Sequence, residues 1–560
     1  MKRIYTFIGV LACTAALLHI TASCSKDFLD RGSKTVFEDG NFWTSENNVK
    51  SYCWEFYNLF TGFGTGTNGD FYFTTFTDDQ AARGMDLFPT AAPASNSHWD
   101  YTYIRKANLL LVRVPQMGNL LSAEAAGHYL GMARFFRGFE YANLVRHFGD
   151  VPYIDKYLDQ SDVDAIYAAP SPRSAVVDSI VADLQFAAAN LRSIAISKTL
   201  GDANVVSAEV AWAFLARVAL YEGTLAKYVS GDAARGEQLL QIALEAAGKI
   251  VGNNNFSLTP VYKDLYSSLD LSKNPEVLLY KAYNSGVLTH SVIGYTNSST
   301  MMDGLTLDAV NSFLCSDGLP ISLSGMYAGN ENISQTLTNR DLRLVQSVED
   351  ELAYIGNPNE KGFTSSTGYI ITKFNNPSLG PSEILAPNNP TDAPIFWLAE
   401  QLLIYAEAAA ELGVITQGDL DATINLLRAR AGVAPMLLSS IPDDPLRDRD
   451  VSPLLWEIRR ERRSELIMDG FREWDIRRWG KLEYLNPAVK PAIFQGAMIS
   501  AQDAAQAQGV AVDSEGYILP YGAGAARSVE VPKNYLDAVP TGELTLYRAK
   551  GVDFPQNPGW

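Results

Sequence analysis

The spacing of apolar positions predicts a mainly helical chain. Residues 46–60 put Val49, Cys53, Phe56 and Phe60 on one face, with Ser45 or Thr44 as the cap. Helical spacing resumes over 99–115, up to Pro115, and again over 122–147, from Ser122 to the stop signals Gly149 and Pro152. In that long segment Met132, Phe136 and Phe139 mark one face, and Phe135 and Tyr141 mark a second. Another helix is predicted over 172–192, with Pro172 just inside its start. Segments 205–226 and 233–250 form an antiparallel pair across a short Gly-containing turn. Ala208, Ala211, Ala213, Ala216 and Ala219 let the two helices approach closely. A second pair falls at 394–412 and 418–431, with Ala406, Ala408, Ala409 and Ala410 against Leu426 and Leu427. The first pair resembles a tetratricopeptide hairpin, whose repeat is about 34 residues. Periodicity fades over 253–393, where Gly, Pro, Asn and Ser are frequent and short strands are predicted at 277–283 and 368–374. The tail 482–560 is irregular again and is predicted to wrap the helical core.

The first residues read differently. Lys2 and Arg3 precede an apolar run from Ile4 to Ile20, then Thr21-Ala22-Ser23-Cys24. This is the layout of a secretory signal peptide over 1–23. A Cys directly after Ala-Ser resembles the lipobox of bacterial lipoproteins, in which that Cys is acylated and becomes the new first residue. Cys24 is the predicted lipidation site. Each buried CH₂ of an acyl chain contributes roughly 0.8 kcal/mol to anchoring. No later stretch approaches the roughly 20 apolar residues of a membrane span.

Composition narrows the function classes. The chain has 560 residues, with 45 Lys+Arg against 63 Asp+Glu, a formal net charge of -18. Loss of Lys2 and Arg3 with the signal takes it to -18 - 2 = -20. An acidic chain lacks the basic footprint of a nucleic-acid binder. The 27 Tyr, 25 Phe and 9 Trp exceed what the charge pattern explains, and some of these rings are expected to face a ligand. Of the four Cys, Cys13 leaves with the signal and Cys24 carries lipid; Cys53 and Cys315 are expected as separate buried thiols, with one disulfide as the alternative. No C-x-x-C, H-E-x-x-H or G-x-S-x-G occurs. Gly64, Gly66 and Gly69 match G-x-G-x-x-G, but a helix precedes them and Phe71-Tyr72-Phe73 follows, so a mobile loop is the reading rather than a dinucleotide site. His128 and His147 are predicted to be packed or hydrogen-bonded.

The charged stretch 457–478 interleaves Arg459, Arg460, Arg462, Arg463, Arg472, Arg477 and Arg478 with acids. Spacings such as Glu457–Arg460 and Arg462–Glu465 predict structural ion pairs rather than phosphate binding. Asp78-Asp79 could in principle act as acid and base. No cofactor is predicted beyond a structural calcium, for which Asp162, Asp164, Asp448 and Asp450 are scattered candidates.

Four stretches together resemble the SusD/RagB family of outer-membrane nutrient-binding lipoproteins of Bacteroidetes. They are Cys24-Ser-Lys-Asp-Phe-Leu-Asp30, ARFFRGFEYANLVRHFGDVPY at 133–153, IRRERRSELIMDGFREWDIRRWGK at 458–481, and Gln556-Asn-Pro-Gly-Trp560. The pair around 395–432 also fits, and the pieces span the whole mature chain in order. Lys26 and Asp27 resemble the charged signal that sends such lipoproteins to the cell surface. The resemblance implies an all-α scaffold of four tetratricopeptide-like helix pairs with large irregular loop inserts. The chain then reads as signal peptide 1–23 and one domain 24–560. Within that domain the scaffold covers 40–252 and 394–481, the ligand-face insert 253–393, and the wrapping tail 482–560. It also implies a non-catalytic protein, lipid-anchored in the outer membrane and facing the exterior. Such a protein captures glycans and passes them to a SusC-like, TonB-dependent barrel transporter. Peptide capture of the RagB type is the alternative within binding, and a surface glycoside hydrolase is the alternative from another class.

Sugar rings want a flat aromatic for the C–H face and amide, carboxylate or guanidinium groups for the hydroxyl rim. Two loops supply these types: 61–100, with Phe73, Asp79, Arg83 and Trp99, and 283–302, with Tyr283, Tyr295 and Asn297. These seven are the predicted ligand contacts.

Overall fold

The computed structural model describes residues 42–65, 69, 71, 76–297, 303–500, 504, 507 and 509–560. The signal segment, Cys24, Gly66 and Phe73 lie outside the described residues.

Helices form where periodicity and caps agree. Helix α1 (Glu46–Trp54) starts on Ser45, whose Oγ accepts the Asn48 N–H, and tightens into a 3₁₀ turn over Glu55–Leu59. Helix α2 (Thr102–Gln116) carries Pro115 in its last turn. Helix α3 (Ala123–Phe148) is capped by Ser122 and ends at Gly149, which takes φ +73° while its N–H donates to the Val145 carbonyl. Helix α4 (Arg173–Asn190) begins after Pro172, which is the residue before the helix rather than its first turn. Helices α5 (Ala208–Leu225) and α6 (Ala233–Val251) make the predicted antiparallel pair, capped by Ser207 and Asp232. They cross so closely that a Cβ on Gly223 would lie 3.0 Å from Leu240 Cγ, and one on Gly236 2.9 Å from the Gly223 carbonyl.

Successive helices pack in order: α2 on α3, α3 on α4, α4 on α5, α5 on α6, and α6 on α7 (Leu398–Glu411). One continuous apolar cluster runs through them, from Val49 to Ala497. Among the described residues no helix is long and apolar enough to cross a membrane.

The irregular insert departs from its prediction in one place. Strand β1 (Val277–Lys281) pairs antiparallel with β2 (Ala393–Trp397), Lys281 facing Ala393. Residues 368–374 are not a strand: one isolated bridge, Val348 to Ile371, is all the ladder they find, although Tyr369, Ile370, Ile371 and Phe374 are buried. The second predicted helix pair is also altered. Residues 393–397 are strand, and 418–431 splits at Thr423 (φ −131°, ψ −88°) into α8 (Gln417–Ala422) and α9 (Ile424–Arg430). The tail adds α12 (Thr541–Ala549), after α10 (Pro453–Glu465) and α11 (Arg472–Arg478). Cys53 and Cys315 are separate buried thiols.

The charged helix α10 is the most polar long helix, yet it is buried on almost every side. Ion pairing makes that tolerable. Arg343 binds Asp341 (2.6 Å), Glu461 (2.6 Å) and Glu465 (2.9 Å), while Arg428 binds Glu461 (2.9 Å). Arg430 bridges Glu276 (3.0 Å) and Glu465. Arg478 holds Glu407 (2.6 Å) and Asp475 (2.8 Å). The Glu457–Arg460 pair forms at 3.2 Å as its spacing predicts. The Arg462–Glu465 pair does not, because Glu465 turns to Arg343 and Arg430 while Arg462 reaches Asp475 at 2.8 Å. Asp78 and Asp79 are not an acid–base pair. Arg463 binds Asp79 (2.6 Å), and Arg472 (2.7 Å) and Lys490 (3.2 Å) bind Asp78. Burial works to raise Asp78, but these cations outweigh it and hold its carboxyl well below the ordinary range.

Replacing Arg343 by Met leaves buried Asp341 without its cation and takes one of two cations from Glu461 and from Glu465. We expect a loss of about 3–5 kcal/mol in denaturant unfolding. A second prediction concerns Asp303, which is buried and, among the described residues, meets amide donors alone: Gln80 Nε2 (3.0 Å) and the Gly304 N–H (2.8 Å). Burial pushes its carboxyl up to about 8 from 3.8. Its contribution is therefore whole below pH 4 and is lost as pH rises toward 8, at about 1.4 kcal/mol per pK unit of difference. Asp303→Asn, with Gln80 turning its amide oxygen to the new donor, should unfold at higher denaturant than wild type at pH 8 and should flatten the pH profile between 4 and 8.

Candidate functional site

A cleft of about 760 Å³ opens where α3, α5 and α11 meet. That size suits a small ligand. Its floor is apolar, built from Phe60, Phe71, Phe139, Trp397 and Phe471. The C-terminal half of α3 lines it with Glu140, Asn143, Arg146 and His147, joined by Tyr221 of α5 and Trp474 of α11. The loop 88–100 forms the mouth, and residues 534–538 with Trp560 close the remaining side.

Each wall is held by specific contacts. Trp474 lies under the Arg146 guanidinium at 4.1 Å, with Arg477 at 5.4 Å and the His147 ring edge-on at 5.0 Å. His98, at the mouth, stacks on His147 with centroids 3.9 Å apart and planes 12° from parallel. His147 Nδ1 meets Asp537 at 2.9 Å. Burial pushes His147 down to about 4, more than Asp537 raises it, and burial also lowers His98, so both rings are neutral near pH 7. Asp100 accepts from the N–H (2.8 Å) and Oγ1 (2.6 Å) of Thr102, which starts α2. Glu140 accepts from Asn143 at 3.4 Å, and burial pushes its carboxyl up to about 7.

The tail is clasped onto the scaffold beside this cleft. Asn557 Nδ2 donates to the carbonyls of Phe148 (3.0 Å) and Asp537 (2.7 Å). Gln556 both accepts from and donates to the Val539 backbone at 2.8 Å, and the Trp560 indole donates to the Leu536 carbonyl at 3.0 Å. Arg477 Nη1 adds a bond to the Asn534 carbonyl at 2.6 Å. The cleft thus combines ring surfaces with neutral donors and acceptors, the combination that grips a hydroxyl-rich ring.

The predicted contacts do not gather here. Trp99 adjoins His98 in sequence, but its ring packs on Phe148 (4.9 Å), Phe554 (5.8 Å) and Tyr101 (6.1 Å). Tyr295 is half-buried in the turn of helix Val292–Asn297, and Arg83 is exposed. Three others are core rather than surface. Tyr283 is 5% exposed, and its hydroxyl ties Thr61 to Gly64. Asp79 is buried against Arg463. Asn297 donates to the Ile371 carbonyl (3.1 Å) and Asn375 (2.9 Å). His98, Glu140, Asn143, Arg146 and Trp474 are the residues that sequence reasoning passed over. Trp474 sat inside a stretch read as ion pairs, His98 in a loop, and Glu140, Asn143 and Arg146 in the 133–153 stretch, whose signal is the family resemblance and not ligand chemistry. Among the described residues no group of three or more His, Cys, Asp or Glu is arranged to hold a metal. Asp448 and Asp450 both pair with Lys481.

Comparison with known proteins agrees with the resemblance. The sequence model of the SusD family matches residues 275–560, just over half of the chain. SusD-like protein P2 of Formosa agariphila is 29% identical over 377 residues, 64% of this chain and 66% of that protein, so the match spans just under two thirds of its length. SusD-like protein P38 of the same organism is 25% identical over 414 residues, 70% of this chain and 73% of that one. A SusD-like carbohydrate-binding protein from Bacteroides fragilis superposes with a TM-score of 0.68 at 22% identity, covering 90% of this chain and 99% of its own. With its helix-pair scaffold, irregular insert and matching family sequence, the chain belongs to the SusD family.

Proposed function

We propose that this protein is a cell-surface glycan-binding protein that captures oligosaccharides in the cleft between α3 and α11 and does not cleave them. It is held to the outer membrane by acyl chains on Cys24 and hands its ligand to a TonB-dependent barrel transporter. The cleft carries the reading: an apolar floor of rings, the neutral stacked imidazoles of His98 and His147, and the amide of Asn143 on the same wall. Family membership supports it, as does the carbohydrate-binding description of the Bacteroides fragilis relative. Trp99, Tyr295 and Arg83 keep surface outside the cleft and are proposed as outer contacts. A site of this polarity binds at roughly micromolar to millimolar strength, about -8 to -4 kcal/mol.

The rival from another class has one observation of its own: Glu140, titrating near 7, shares the cleft with Asp100, as a glycosidase acid and its partner would. Reducing-end release by the pure protein, lost in Glu140→Gln, would establish it; we expect none. For capture, His98→Ala and Asn143→Ala should each weaken the best oligosaccharide of a calorimetric panel by about tenfold, or ~1.4 kcal/mol, with an unchanged circular dichroism spectrum. Unchanged affinity in both removes the cleft as the site. A tighter peptide than any sugar in the same panel would favour peptide uptake. Cys24→Ala should abolish palmitate labelling and surface display in the producing cell.

A further inference from the structure

The cleft has an electrostatic sign. Four guanidiniums on its wall are committed to carboxylates: Arg217 to Glu400 (2.6 Å), Arg462 to Asp475 (2.8 Å), Arg477 to Glu473 (2.9 Å) and Arg478 to Glu407 (2.6 Å). Arg146 is spread over Trp474 and donates through Nη2 to Asn143 Oδ1 at 3.1 Å. The two imidazoles are neutral near pH 7. Asp537 accepts a hydrogen bond from the neutral His147 and feels the charge of Arg477, while Glu222 is paired with Arg173 and Asp469 with Lys373.

Two lining carboxyls stand apart from this pairing. Glu140 is 8% exposed, and Asn143 is its hydrogen-bond partner; among the described residues no Lys or Arg nitrogen comes within 4 Å of it. Asp100, at the mouth, is held by Thr102 alone and likewise has no such cation among the described residues. The two sit near enough for the charge of Asp100 to help raise Glu140. A buried, cation-free carboxyl facing an open cavity is costly unless a ligand group completes it.

We infer that the cleft discriminates by charge, accepting uncharged and amine-bearing sugars and rejecting chains that carry carboxylate or sulfate, with Glu140 and Asp100 setting the sign. This rests on the glycan-capture reading above and names the ligand class for that same site. A uronate or sulfate entering the cleft meets the charge of exposed Asp100 and of the ionised fraction of Glu140, the latter on a desolvated wall where water screens it least. A hydroxyl loses nothing there, because a carboxyl both accepts from it and, when protonated, donates to it. An amine gains an ion pair with Glu140 or Asp100.

The test uses the mature full chain on an array of neutral, amine-bearing and acidic polysaccharides. Titration calorimetry then compares the best binder with its uronate counterpart of equal length and linkage. Wild type should favour the uncharged or aminated chain by at least about tenfold, and 0.5 M NaCl should shrink that ratio. The double variant Asp100→Asn, Glu140→Gln, checked for an unchanged melting midpoint, should narrow the ratio several-fold while keeping hydrogen-bonding groups of the same shape. An acidic chain bound as tightly as the neutral one overturns the inference and gives the sign to Arg146, while leaving glycan capture standing. No sugar bound at all overturns capture, and this inference falls with it. An aminated chain that loses no affinity in the double variant removes Glu140 and Asp100 as the residues responsible.

Discussion

The structure depends on neutralising the charge of one buried helix. Removing an ion from water costs several kcal/mol even after relaxation, so α10 can sit in the interior only if each of its guanidiniums and carboxylates meets an opposite charge. The partners come from distant places: Asp79 from the loop after α1, Arg343 from the insert, Glu411 from the end of α7, Arg428 and Arg430 from α9, and Asp475 from α11. Satisfying them all at once fixes these segments against each other. The insert has little regular structure to stiffen it, and Arg343 and Lys373, fully buried on Glu465 and Asp469, dock it to the helical frame.

The cleft follows from the same packing. Helices α3, α5 and α11 converge, and their shared apolar interior is left open on one side as a floor of rings. Most of the charges that reach this seam are paired before a ligand could use them. What faces the opening is a set of neutral rings and amides with two carboxyls, a weak and selective surface rather than a strongly charged one. The tail completes it by bonding to backbone carbonyls of α3 and of its own 536–539 segment, which positions Asp537 against His147.

Local signals made much of the frame legible. Ser122, Ser207 and Gly149 act within one helical turn of themselves, so their effect can be read from neighbours a few residues away. The alanine face of α5 and the apolar periodicity of α6 identify a close helix pair for the same reason. The split at Thr423 and the strand at 393–397 were not legible. A buried apolar run reads alike as helix or strand until its partner, here β1, is known. The ion-pair character of 457–478 was readable from interleaved signs, but not the pairing itself: Arg463 and Asp79 are 384 residues apart.

The amino-acid sequence by itself determined the helices, their caps, the antiparallel α5–α6 pair, the acidic balance and the family resemblance, because each of these is written in neighbouring residues or in composition. Only the tertiary structure decided which rings face solvent. Tyr283, Asp79 and Asn297 carry the chemistry of a sugar site, yet contacts with Thr61, Arg463 and Ile371 turn them to packing. His98, Glu140 and Trp474 become a cleft because three helices and the tail bring them together, and that meeting is a property of burial across the whole chain.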